Sequence, residues 1–184
     1  EESTLPSKIN ITLEKINDLR YGENPHQNAS LYNIKYPRVE GFNFEQLAGK
    51  GLSYNNLVDT ESALSCVQQF TNPSCVIVKH ANPCGVAECT NLMAAYNNAY
   101  ATDPISAFGG IIAFNKNVDE KILKKIINRQ FVEVIVAPGY SKKCLEVIKS
   151  KPNIRLLKAA KSKKDTVKLE FKSLQSKFLI QESD

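Results

Sequence analysis

Apolar and polar positions fall into blocks with two different periods along this chain. Cys75-Val76-Ile77-Val78 is an unbroken apolar run between polar residues, which predicts a strand buried on both faces. Residues 111–114 repeat that pattern, and 132–137 and 153–157 are apolar-rich segments that read as further strands. Between them the period changes. Leu57, Ala63, Leu64, Val67 and Phe70 share one face of a helix over 57–70, with Asn55 or Asn56 as its cap and Asp59 and Glu61 near its positive end. Leu92, Ala95, Tyr96, Ala99 and Tyr100 mark a second helix over 91–102. A basic amphipathic helix follows over 119–129, and another over 141–149 with Ser141 as its cap. The order β-α-β-α-β-α-β predicts an α/β fold, a layered sheet with helices on its faces. Toward the N-terminus, Ile9, Ile11, Leu13 and Ile16 suggest a short strand and residues 29–32 another, with a looser connection over 33–44. Residues 158–168 are basic and poor in apolar side chains, which reads as a solvated linker, and 167–171 and 178–181 suggest two final short strands.

The breaks between these blocks carry the candidate chemistry. The run ending at Val78 leads to Lys79-His80 and then to Asn82-Pro83-Cys84-Gly85, whose composition predicts a turn. A strand that delivers reactive side chains at its C-terminal end is a common way for an open α/β sheet to build a site. Taken alone, a Lys-His pair there is more often a solvated strand end. Arg20-Tyr21-Gly22-Glu23-Asn24-Pro25-His26-Gln27 is a loop with more hydrogen-bonding groups than a connection needs. Arg20 suits bidentate capture of phosphate or carboxylate, and Tyr21 can stack on a flat ring. The same composition also describes an ordinary polar surface loop. Asp103-Pro104-Ile105-Ser106-Ala107-Phe108-Gly109-Gly110 stops the second helix, and its paired Gly let backbone approach a ligand or another strand. Gly49-Lys50-Gly51 lacks the spacing of a P-loop.

Composition narrows the classes. The chain has 184 residues, enough for a substantial core, with 42% hydrophobic and 23% charged residues. No apolar run approaches membrane-spanning length, so no membrane partner is expected. The formal charge of +5 suits an anionic small molecule. Nucleic acid is not expected, because no aromatics interleave the lysines of 158–168. Five cysteines without a dense framework read as reduced thiols in a cytoplasmic protein, with Cys66, Cys75 and Cys144 filling apolar faces. Pro83-Cys84 beside His80 invites comparison with zinc deaminase motifs, but the Glu two residues after the His and the second Cys three residues after Cys84 are both missing. No metal is expected. A Cys84–His80 nucleophilic pair is one reading of these residues, and a small residue packed against the strand is the plainer role for Cys84.

Taken together, the Arg20–Gln27 loop, Val78-Lys79-His80-Ala81-Asn82-Pro83-Cys84-Gly85 and the 103–110 segment resemble the transformylase part of the AICAR transformylase/IMP cyclohydrolase family of purine biosynthesis. Leu52-Ser53-Tyr54-Asn55-Asn56-Leu57 and Glu133-Val134-Ile135-Val136-Ala137-Pro138-Gly139-Tyr140 fit the same family in the same order. The resemblance runs from about Leu19 to Leu157 and more weakly to Asp184. It implies a cytidine-deaminase-like fold without zinc. It also implies formyl transfer from 10-formyltetrahydrofolate, the co-substrate, to the 5-amino group of AICAR.

By this resemblance His80 matches the proton-shuttle position. Lys79 matches the catalytic lysine, either a cation for the oxyanion or a proton source for the leaving nitrogen. Arg20 and Tyr21 match the residues that hold the nucleotide, Asn56 an amide near the reacting groups, and Gly109 a backbone contact beside the substrate. Glu133 aligns with an acidic position that accepts from the ribose hydroxyls or the carboxamide. Ile105 and Phe108 lie where the family places its folate. Asn82 has two equal readings, a structural one in which it orients the His80 turn and a direct one.

The resemblance further implies a homodimer with its active site at the interface, and IMP cyclohydrolase activity on a preceding domain that this sequence does not contain. The expected division is an N-terminal segment over 1–18, the first half of the transformylase domain over 19–158, and a basic linker with the start of a further part over 159–184. Ser176-Lys177 departs from a Gly pair found in many relatives. The competing class is a non-catalytic nucleotide-binding or interaction fragment, which would keep the pocket and lack turnover.

Overall fold

The computed structural model describes residues 5–36, 43–159 and 169–182. The chain divides into two compact units. One comprises 1–18, 30–41 and 162–184, the other 19–29 and 42–161.

In the first unit, β1 (Thr12–Asp18) pairs antiparallel with β2 (Ser30–Tyr36). Ser30 Oγ donates to Asp18 Oδ1 at 2.6 Å, where the chain leaves β1 and returns to β2. Near the C-terminus of the chain, two further strands, β9 (Leu169–Leu174) and β10 (Lys177–Glu182), form a tight hairpin whose turn residue Gln175 has φ of 50°. Ser176-Lys177 thus lies in and just after a two-residue turn that does without glycine.

The second unit is built on a six-stranded sheet. In chain order its elements are β3 (Phe44–Ala48), α1 (Tyr54–Val67), β4 (Ser74–Lys79), β5 (Asn82–Glu88), α2 (Leu92–Thr102), β6 (Gly110–Phe114), α3 (Glu120–Arg129), β7 (Val132–Ala137), α4 (Lys142–Ile148) and β8 (Arg155–Ala159). The strand order is β3-β8-β7-β6-β4-β5. β6, β7 and β8 are mutually parallel, while β4 runs against both β5 and β6, and β3 against β8. This is the layered α/β class that the alternating pattern predicts.

The core explains the unbroken apolar runs. Every residue of β6 is buried, and all of β4 except Lys79, because both faces of these strands are covered. Cys75, Ile77, Ile112, Phe114, Ile135 and Leu156 pack under α2, α3 and α4. Val76, Val78, Ala113, Val134, Val136 and Leu157 point to the other face, where α1 buries Leu57, Ala63, Leu64 and Val67. Tyr140 donates its hydroxyl to the carbonyls of Ile135 (2.8 Å) and Leu157 (3.1 Å), fastening β7 to β8. Burial, with Cys144 adding to it, holds that phenol well above its ordinary pKa.

Five expectations are corrected. Asn82-Pro83-Cys84-Gly85 is not a turn but the start of β5. The turn is the two residues before it, because Lys79 pairs with Asn82 across a hairpin. Pro83 is tolerated because β5 is the sheet's edge, and a bulge leaves Cys84 unpaired between Pro83 and Gly85. The cap of α1 is Ser53 rather than Asn55 or Asn56; Asn56 sits three residues on and closes a capping box with it. The looser connection over 33–44 holds the end of β2 and the first residue of β3, and β8 extends to Ala159 rather than ending at 157. Cys66 is only half-buried, whereas Cys75 and Cys144 are core residues as expected. Most of the basic segment, 160–168, lies outside the described residues.

Candidate functional site

The pairing registers bring the singled-out residues to one end of the sheet. Val78 faces Ile111 across the β4–β6 pair, and Val134 faces Arg155 across the β7–β8 pair. The C-terminal ends of β3 and β4 therefore meet the N-terminal ends of β5 to β8. This is the reverse of the usual arrangement, in which a site gathers at the C-terminal ends of parallel strands. The antiparallel β4 makes the reversal possible.

A polar cluster occupies one side of this end. Its anchor is a bulge in β7. Gly110 faces Val132 and Ile111 faces Val134, so Glu133 has no residue opposite. Val132 and Ile135 both belong to the apolar cluster under α2–α4, so Glu133 and Val134 turn together toward α1. Glu133 Oε2 there accepts a 2.7 Å hydrogen bond from Asn56 Nδ2. Asn56 itself is held by its role in the α1 cap, where its Oδ1 accepts from the Ser53 backbone.

Arg155, at the head of β8, completes the cluster. Its side chain is 5% exposed and stands 3.8 Å from Glu133 Oε2. Nε and Nη2 both donate to the carbonyl of Gly51 at 3.2 Å. Burial lowers the guanidinium's pKa, and Glu133 opposes that shift while Arg20 adds to it. Arg155 lies outside the motifs singled out above. A signal was present, since an arginine inside Ile154-Arg155-Leu156-Leu157 is a charge at a buried strand position, which demands a partner.

The loop of Arg20 and Tyr21 is fixed to the same place by backbone bonds. Arg20 N–H donates to Leu52 O and Tyr54 N–H to Tyr21 O, each at 3.1 Å. Within the loop, Gly22 N–H bonds Gln27 O at 2.9 Å. The Arg20 guanidinium lies 5.3 Å from the centroid of the Tyr21 ring.

On the other side stands an apolar surface. Gly109, with φ of +75°, donates its N–H to Phe131 O at 2.9 Å, a backbone conformation that a side chain at this position would strain. That turn sets the Phe108 ring 5.6 Å from the Phe131 ring while leaving Phe108 59% exposed. Ile105 is 87% exposed, the most open large apolar side chain among the described residues. Ser106 donates its backbone N–H and hydroxyl to Asp103, which starts the turn and holds the Asp103 carboxyl below its ordinary pKa.

Lys79 and His80 lie at this same end, on the tip of the β4–β5 hairpin. Lys79 Nζ donates to Phe108 O at 2.9 Å, tying the hairpin to the aromatic turn. His80 is exposed. Asn82 Nδ2 donates to His80 O at 2.8 Å, a contact of the structural, orienting kind. Cys84 is half-buried, its thiol 3.5 Å from Ile77 O and pushed up by burial, so it is poorly suited to serve as a nucleophile. No group of three His, Cys, Asp or Glu is placed to hold a metal among the described residues, and no helix among them is long and apolar enough to cross a membrane.

Comparison with known proteins gives one family. A family model described as AICARFT/IMPCHase bienzyme matches residues 1–184. Two solved structures, Acinetobacter baumannii RibD in forms 1 and 2, overlap this chain with TM-scores of 0.39 and 0.38 at 15% and 13% identity. The overlaps cover 53% and 55% of this chain, and 32% and 34% of theirs. The chain thus matches about a third of the length of each.

Proposed function

This chain belongs to the AICARFT/IMPCHase bienzyme family, and on that premise we propose that it contributes the site for formyl transfer from 10-formyltetrahydrofolate to the 5-amino group of AICAR. The observation that carries the reading is the position of Lys79-His80. The pair shares one end of the sheet with a buried-arginine polar cluster and with an open aromatic surface tied to Lys79 itself. A phosphorylated, hydroxyl-rich nucleotide suits the first, and a flat pterin the second.

The amine of AICAR is a weak nucleophile, because its lone pair is delocalised into the imidazole. In the proposed reaction the amine nitrogen attacks the formyl carbon. His80 accepts the proton that the amine loses, the bond from the formyl carbon to N10 of the folate breaks, and N10 gains a proton. Lys79 either stabilises the oxyanion or supplies the proton to N10. Arg20 and Tyr21 hold the nucleotide, Asn56 stands near its reacting amine and carboxamide, Glu133 accepts from its ribose hydroxyls or carboxamide, and the Gly109 backbone lies beside it. Ile105 and Phe108 bound the folate. In this reading a second copy of the protein completes the site, and the product enters purine synthesis in the cytoplasm.

Calorimetric titration with AICAR tests the nucleotide half. Saturable binding that falls at least about ten-fold in Arg20→Ala supports the reading, as expected for loss of a charge-assisted clamp. Binding unaffected by that change contradicts it.

A further inference from the structure

The hairpin that carries Lys79 and His80 is built against local preference. Its two central residues, His80 and Ala81, have φ of 53° and 57°. Two positive values in a two-residue loop are the signature of a type I′ turn, which strongly prefers Asn-Gly. Histidine tolerates that region better than most residues, but alanine has no side-chain hydrogen bond to offset the clash of its Cβ.

Three side chains hold the turn in place. Asp59 Oδ1 accepts from Ala81 N–H at 2.7 Å, Ser62 Oγ donates to Ala81 O at 2.9 Å, and Asn82 Nδ2 donates to His80 O at 2.8 Å. Asp59 and Ser62 are three residues apart on α1, so they stand on one face of one helix. That same helix carries Asn56, bonded to Glu133. A single rigid element therefore grips both the hairpin tip and the polar cluster.

We infer that Asp59 and Ser62 are positioning residues for His80, and that Ala81 keeps the turn in one conformation by denying it the freedom a glycine would bring. A turn that only had to reverse the chain would gain from Asn-Gly. Holding strain under three hydrogen bonds makes sense where the histidine's direction matters. The inference rests on the catalytic role proposed for His80.

The test uses the full-length protein and reads kcat, KM for AICAR and melting temperature together. Ala81→Gly removes the Cβ clash and loosens the turn. A positioning role predicts an unchanged or higher melting temperature with kcat lowered about ten-fold or more, since small misplacements of a reacting group are costly. KM for AICAR stays within about two-fold, because the nucleotide contacts are elsewhere. Asp59→Ala lowers kcat similarly, and Asp59→Asn, which keeps an acceptor for the Ala81 N–H, restores most of it.

Unchanged kcat in Ala81→Gly overturns the inference. So does a fall in kcat matched by a fall in melting temperature, or failure of Asp59→Asn to rescue. If the unsubstituted protein transfers no formyl group, the reading of the function fails instead, and the two failures are told apart.

Discussion

Asn56 and Glu133 are 77 positions apart in the chain and 2.7 Å apart at their side-chain Nδ2 and Oε2 atoms. The contact needs two local features at once. The α1 cap must fix Asn56, and the β7 bulge must turn Glu133 to the α1 face.

Asn56→Asp isolates this contact. The new carboxylate still accepts from Ser53 N–H, so the capping box survives, but the donor to Glu133 is replaced by a second negative charge. AICAR affinity, measured by calorimetry, is expected to fall about ten-fold or more, and stability in urea to fall by about 1–2 kcal/mol.

Arg155 links that pair to the Gly51 backbone. Arg155→Met leaves Glu133 without its cation and the Gly51 carbonyl without its donors. Glu133 is partly exposed, so the expected loss is about 2–3 kcal/mol rather than the larger cost of a fully buried pair. Arg155→Lys is expected to recover little of it, because one ammonium cannot reproduce two N–H bonds to Gly51 together with the approach to Glu133. Urea denaturation of the two variants checks both statements.

Gly85 is where β5 meets α2. A Cβ there would stand 2.0 Å from the carbonyl oxygen of Ala99. The obstacle is helix backbone, which cannot swing aside. Gly85→Ala is expected to cost about 3 kcal/mol or more, read as a lower melting temperature.

The Asp103 turn gives a pH dependence. Hydrogen bonds from Ser106 depress the Asp103 pKa below its ordinary 3.8 in the folded state. A depressed carboxylate contributes stability that is fully present above the unfolded value and is lost as pH falls through the folded one. The 103–109 turn is therefore expected to loosen only below about pH 4. Asp103→Asn should remove that acid-side transition. Fluorescence or NMR of the Phe108–Phe131 pair across pH 2–6 would follow it.

The parts of this fold that were legible in the sequence are those where one physical cause acts alone. β4 and β6 stand out because burial on both faces leaves unbroken apolar runs. α2 and α3 stand out because Asn91 and Asp119 cap clean apolar faces. β5 was hidden because Asn-Pro-Cys-Gly is turn chemistry, and only its edge position with a bulge allows it to be a strand. The residues of the candidate site were singled out by motif resemblance, whereas the contacts that position them were not legible. Nothing local predicts the bulge at Glu133, and nothing in Asp59 or Ser62 announces that they hold a turn about 20 residues on. Arg155 was the exception, readable as a charge in an apolar strand.

The central claim is that Lys79 and His80 carry the transfer while other residues hold the nucleotide. The most direct measurement is the rate of formyl transfer in the full-length protein with Lys79→Ala and with His80→Ala, beside AICAR affinity for each. The expected result is loss of transfer by at least about a hundred-fold in both variants, the scale for a positioned acid–base group, with AICAR affinity changed by less than about three-fold. Transfer that survives both substitutions would contradict the assignment.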